Sequence, residues 1–222
     1  MRRWGIVITT VYALIVLMLV GPFIALITKH SSSFYQEVRS IYSEWLVWVL
    51  VAAFVAGEAL LLLVSVDTAR QRMKPRTHVL VSCAMGAMLF ALLVYAAVCS
   101  VGFGIHGDKF GDDFFESRIR ILSAWGVLWL LWGIILYVYL RGYVALVTRI
   151  VSWLLKGSVL ELLVAVPCHV IVRRRGDCCA PTATGLGIAT GIAIMLLSFG
   201  PGVLFLYQKR LDSYSKHRPD SA

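Results

Sequence analysis

Charge is what this chain has least of. Only 15% of its 222 residues are Asp, Glu, Lys or Arg, and 59% are hydrophobic, whereas soluble domains carry roughly a quarter charged residues. No polar stretch is long enough to bury a core of its own. That excludes a separate soluble domain and leaves a single membrane domain over residues 1–222. Cysteine is scarce and odd in number, five in all, which excludes the disulfide framework of a small secreted protein. A nucleotide-binding loop, a catalytic-triad spacing, a zinc-protease helix and a haem-attachment Cys-x-x-Cys-His are all missing, so the chain leans away from an enzyme. Two similar halves, the mark of an inverted-repeat carrier, are missing as well. With Arg at residue 2 rather than Gly and Pro-Asp-Ser-Ala as the last residues, no lipidation signal is expected.

What the chain does have is hydrocarbon in runs of spanning length. The stretch from Gly5 to Thr28 is apolar and uncharged, and as a helix rising about 1.5 Å per residue it covers the roughly 30 Å core of a bilayer. It exceeds the roughly 7–15 apolar residues of a cleaved leader and is expected to be an uncleaved signal anchor. A kink is expected at Gly21-Pro22, with the freed carbonyl satisfied by a neighbour. Further spans are expected at about 45–66, 79–104, 123–140 and 182–207. The fold class is therefore an all-α integral membrane protein, a polytopic helix bundle of five transmembrane helices, or six if one ambiguous segment crosses.

That segment follows Arg141. In residues 142–156 the small or polar positions Ala145, Thr148, Arg149, Ser152 and Lys156 recur at helical spacing with apolar residues on the other face, which predicts an amphipathic helix lying in the interface on the cytoplasmic side. Residues 158–172 are apolar but short, contain Pro167 and end at Arg173, Arg174 and Arg175, which predicts a re-entrant or interfacial segment. The basic segment from Asp67 to His78 belongs in the cytoplasm by the positive-inside rule, and the acidic loop from Ile105 to Leu122 belongs outside. In the five-span arrangement the N-terminus is cytoplasmic, Arg173–Arg175 stay cytoplasmic and the basic tail is outside. In the six-span arrangement the arginines move out and the tail moves in. The net charge of +9 is accounted for by these flanking segments and by lipid headgroups, not by nucleic acid.

Reactive side chains concentrate between Ser158 and Pro181. Cys168, His169, Cys178 and Cys179 are ligand types that zinc, copper or iron sites use, although adjacent cysteines are a poor metal spacing; the same residues could instead be packing groups or a thiolate beside the arginines. Arg173, Arg174 and Arg175 suit lipid phosphate or an acidic partner surface. Glu58 is the acid inside an expected span and should face the bundle interior, as a proton or cation relay or as a neutral hydrogen-bonding group. Glu161, on the segment read as interfacial, has the weaker case because water can reach it there. Asp108, Asp112, Asp113 and Glu116, with His106 nearby, offer carboxylate oxygens to a hard cation such as calcium, without an EF-hand register. The tryptophans of 123–140 are expected at lipid or the interface, Gly187-xxx-Gly191 forms a packing face, and Gly200-Pro201-Gly202 is expected to break the last helix.

These features predict a multi-pass inner-membrane protein acting as an accessory, scaffold or assembly subunit, in contact with lipid and other membrane-protein subunits. The alternatives are a metal-binding or thiol-redox protein using the Cys/His residues, and a small proton- or cation-coupled transporter using Glu58.

Overall fold

In hydrocarbon a backbone must satisfy its own hydrogen bonds, and a single chain does so by coiling. The computed structural model describes residues 2–28, 34–69, 75–115, 118–140 and 146–216, with side chains described for 6–27, 34–61, 79–111, 120–140 and 146–199. Nearly all described residues are helical and none is in a strand. The helices are α1 (Arg2–Met18), which continues through a π-helical turn (Leu19–Phe23) into α2 (Ile24–Thr28), then α3 (Phe34–Ser43), α4 (Trp45–Ala69), α5 (Pro75–His106), α6 (Asp108–Phe115), α7 (Arg118–Leu140), α8 (Leu146–Arg175) and α9 (Ala180–Lys216). Among the described residues five helical stretches are long and apolar enough to cross a membrane: Ile6–Ile27, Val79–His106, Arg120–Leu140, Leu146–Arg175 and Ala180–Phe199. The pair α3–α4, bent by 75°, makes a sixth if taken as one span.

The bundle is built around α5 and α9, which pack on each other. In addition α5 packs on α4, α7 and α8, and α9 packs on α1, α4 and α8. Phe54, Leu89, Leu136, Ile150, Ile194 and Leu197 are fully buried between them. The outward faces are apolar too, with Leu130 and Ile134 of α7 and Leu160 and Leu163 of α8 exposed, as lipid contact requires.

Residues 142–145 of the expected interfacial helix lie outside the described residues; over 146–172 the expected division into two segments is corrected, because α8 is one helix of 30 residues with Pro167 inside it. The reason is a single buried stripe, Ile150, Leu154, Ser158, Glu161, Ala165, His169 and Val172, which runs through both segments at the spacing of one helix face. Hydropathy alone hides it because three of its members are polar. Nor does Gly200-Pro201-Gly202 end α9, whose backbone stays helical through Lys216.

At Gly21-Pro22 the helix takes a π-helical turn. Pro22 has no N–H, and in that register the carbonyl deprived of a donor is that of Leu17, which Tyr42 of α3 reaches with its hydroxyl at 2.5 Å. Gly21 leaves room for the Tyr42 ring, where a Cβ would collide with it. Short amphipathic helices α3 and α6 occupy what the sequence presents as polar links.

Candidate functional site

Several chain segments meet at one end of the bundle. Asp108, at the start of α6, accepts hydrogen bonds from the amides of Cys178 (2.7 Å), Cys179 (3.0 Å) and Ala180 (2.9 Å), the donors that the first turn of α9 cannot satisfy internally. Partial burial works against its charge, but the amides of Cys178, Ala180 and Cys179 outweigh this and hold the carboxyl below its ordinary range. Arg173 donates to the carbonyl of Ile27 (2.6 Å) and Arg175 to that of Ile105 (3.3 Å). These carbonyls lie in the last turns of α2 and α5, where acceptors are orphaned and the helix dipole favours a cation. Gly107 and Gly176 adopt φ of +62° and +78°, the left-handed turn that ends α5 and α8.

These contacts bring to one end of the bundle two segments that the five-span arrangement puts on opposite faces, 105–122 and 173–181: Asp108, Ile105, Arg175 and Cys178 meet there. Two of the three arginines act as helix caps within the chain, and Arg174 is exposed.

The Cys/His residues are not brought into one donor set. His169 is buried, with its Nδ1 2.9 Å from Thr184 Oγ1. Thr184 Oγ1 also lies 2.9 Å from the carbonyl of Ala180 and 3.2 Å from that of Pro181. Cys168 is half-buried and faces Gly104, while Cys178 and Cys179 are exposed. Among the described residues no group of three or more His, Cys, Asp or Glu side chains is placed to hold a metal ion. The side chains of Asp112, Asp113, Glu116, His78 and His217 lie outside those described.

Among the described residues two carboxyl groups are buried in the bundle, Glu58 and Glu161. Glu58 of α4 is 1% exposed, its Oε2 has no hydrogen-bond partner among the described residues, and it interacts electrostatically with Tyr12 of α1. The Tyr12 hydroxyl donates to the Ala193 carbonyl of α9 at 3.0 Å. Glu161 of α8 is 3% exposed, and neither of its oxygens has a partner among the described residues. Beside it the hydroxyl of Ser100 on α5 is buried and likewise unpartnered. Glu58 lies about 20 Å along α4 from its start, and Glu161 about 20 Å along α8 from its end. The weaker sequence case for Glu161 is therefore overturned: α8 is not solvated there, and Glu161 sits as deep as Glu58.

Glycine makes Glu161 possible. A Cβ on Gly191 of α9 would strike Glu161 Oε2, and one on Gly187 would lie 2.5 Å from Ser100 Oγ and 3.5 Å from Glu161 Oε1. The Gly187-xxx-Gly191 face thus packs against a carboxyl and a hydroxyl. Leaving an unpaired charge in such a place costs several kcal/mol.

Between α4 and α7, against α5 and α9, lies a cavity of ≈190 Å³ with Leu50, Tyr95, Trp125 and Gly187 in its walls. The tryptophans of α7 are half-buried and pack partly inward: Trp125 lines the cavity, Trp129 donates to the Ala84 carbonyl at 2.9 Å, and Trp132 stacks on Phe90 with centroids 5.1 Å apart.

Compared with protein-family models, curated protein sequences and solved structures, the chain matches none of them.

Proposed function

We propose that the chain is a small multi-pass membrane protein that relays protons or small cations within the bilayer, with Glu161 and Glu58 as the groups that take them up and release them. The observation that carries this reading is Glu161, 3% exposed with two unpartnered oxygens on a helix long enough to cross. A group that exists only to bind helices together uses its hydrogen-bonding capacity; this one leaves it open. The reading takes α8 as a crossing helix, which makes six crossings, puts the N-terminal end of α1 and the far end of α9 on the cytoplasmic face with the basic segment 67–78, and places Arg173–Arg175 outside. The test is proton movement in liposomes reconstituted with the full chain and an entrapped pH indicator. Wild type should dissipate an imposed pH gradient, and Glu161→Gln should slow it at least tenfold. Equal rates for wild type, Glu161→Gln and protein-free liposomes would overturn the relay.

A second reading, an accessory or assembly subunit, is favoured by α7. Only 11% of its spanning window is buried, against 56% in α5 and 61% in α9, so α7 offers a peripheral face to lipid or to another subunit. A photo-crosslinking residue at Leu130 tests it: a protein adduct in the native membrane supports a partner, and a lipid adduct alone counts against one.

A further inference from the structure

The cavity between α4 and α7 exists because each of these helices packs on α5 and they make little contact with one another. Its mouth faces lipid, since the wall residues Val49 and Leu122 are 44% and 43% exposed. Leu50, Leu92, Tyr95, Ile121, Trp125 and Leu186 form most of the wall, and nearly all the surface inside is hydrocarbon or ring carbon. Thr190 also lines it, but its hydroxyl donates to the Leu186 carbonyl at 2.9 Å and is used within α9. Sites for polar small molecules orient them with a few placed polar groups, and this wall offers almost no polar surface to do so. Water gains little there either: an apolar protein cavity of about 150 Å³ stays dry, and this one holds ≈190 Å³.

The wall residues come from the starts of α4, α7 and α9 and from the last half of α5, so the cavity lies toward the end of the bundle where Asp108 caps α9. On α9 it runs from Ala183 to Thr190 and ends about 15 Å along the helix from Ala180. That is the depth of one leaflet, half of the roughly 30 Å hydrocarbon core. At the same end Trp45 and Trp48 are exposed at the start of α4, and Arg120 is exposed immediately before Ile121 of the wall. These are the aromatic and basic types that sit at headgroup level. A space that is dry, apolar, one leaflet deep and open sideways to lipid suits a hydrocarbon chain. We propose that it holds one acyl chain of a bilayer phospholipid, which enters between Val49 and Leu122 and lies along the helices, with its headgroup at the level of Arg120. The chain supplies the dispersion contacts that the walls of an empty void lack. The inference uses neither Glu161 nor Glu58 and stands apart from the relay reading.

The experiment is photolabelling of the full chain in maltoside micelles, with phosphatidylcholine carrying a diazirine in the middle of one acyl chain, titrated and mapped by mass spectrometry. Cys99 and Thr190 are buried yet line the cavity, whereas Leu130 and Ile134 are exposed on α7 and report ordinary lipid contact. In wild type, labelling at Cys99 and Thr190 should saturate at one lipid per chain, while labelling at Leu130 and Ile134 keeps rising with added lipid. Ala53→Phe, which puts a ring into the cavity, should cut labelling at Cys99 and Thr190 at least fivefold and leave Leu130 and Ile134 unchanged. Val49→Trp, at the exposed mouth, should cut it at least threefold and covers the case in which Ala53→Phe does not fold. Absence of labelling at Cys99 and Thr190 in wild type, labelling there that never saturates, or undiminished labelling in the folded variants would each overturn the inference. So would a diazirine-bearing benzene that labels Cys99 and Thr190 where the phospholipid does not, which would assign the cavity to a small ring compound.

Discussion

Asp108→Ala should loosen the turn between α8 and α9 by an amount the geometry sets. Three amides lose their acceptor. Cys178 and Cys179 are exposed, so water replaces the carboxylate there and the loss is close to that of an ordinary N-cap, about 1 kcal/mol. Ala180 is fully buried, and an amide left without acceptor or water costs a further 1 kcal/mol or so. The total is about 2 kcal/mol, or roughly a thirtyfold rise in hydrogen exchange at residues 178–180. Asp108→Asn keeps one oxygen acceptor and should fall between the two. The pH dependence has a fixed sign. The folded carboxyl titrates below its unfolded value of about 3.9, so its contribution is complete at neutral pH and disappears as pH falls through the lower folded value. The difference in melting temperature between wild type and Asp108→Ala should therefore be full at pH 7 and shrink in strong acid. Unchanged exchange at 178–180, or a difference that grows on acidification, would refute the capping role.

Gly191→Ala puts a methyl group where Glu161 Oε2 lies and should destabilise the detergent-solubilised protein by about 1–3 kcal/mol. Adding Glu161→Ala should recover part of that loss, a non-additivity read by thermal unfolding. Tyr42→Phe removes the donor to the Leu17 carbonyl and should cost about 1 kcal/mol, with faster amide exchange confined to the π-helical turn; a global change with no local one would contradict the assignment.

The spans near 5–28, 79–104 and 182–207 were legible because run length against bilayer thickness decides them. The short helices α3 and α6 were not, because ten or fewer residues with polar faces look the same as a loop in hydropathy. Which segments share an end of the bundle was hidden for a different reason. Moving Arg173–Arg175 outward and Lys209, Arg210, Lys216 and Arg218 inward exchanges three basic side chains for four, so the positive-inside rule separates five from six crossings by a single residue. The contacts that join the two segments, Asp108 on the α9 amides and Arg175 on Ile105, link residues 70 to 72 positions apart, and no local pattern announces them. One signal does lie in the sequence: Ile150, Leu154, Ser158, Glu161, Ala165, His169 and Val172 keep a helix's spacing straight through residue 157, and that stripe puts Glu161 on the buried face. His169 and Cys168 drew attention by chemical type, but their neighbours, Thr184 and Gly104, are visible only in the fold.

Everything proposed for Glu161 depends on α8 crossing the bilayer, and thiol labelling tests that directly. In sealed membrane vesicles of known orientation, an impermeant maleimide should modify Cys178 and Cys179 from one side only. A single cysteine at Arg149→Cys, in a Cys178→Ser, Cys179→Ser background, should be modified only from the other side. Both ends of α8 labelling from the same side would return the helix to the interface and remove Glu161 from the membrane interior.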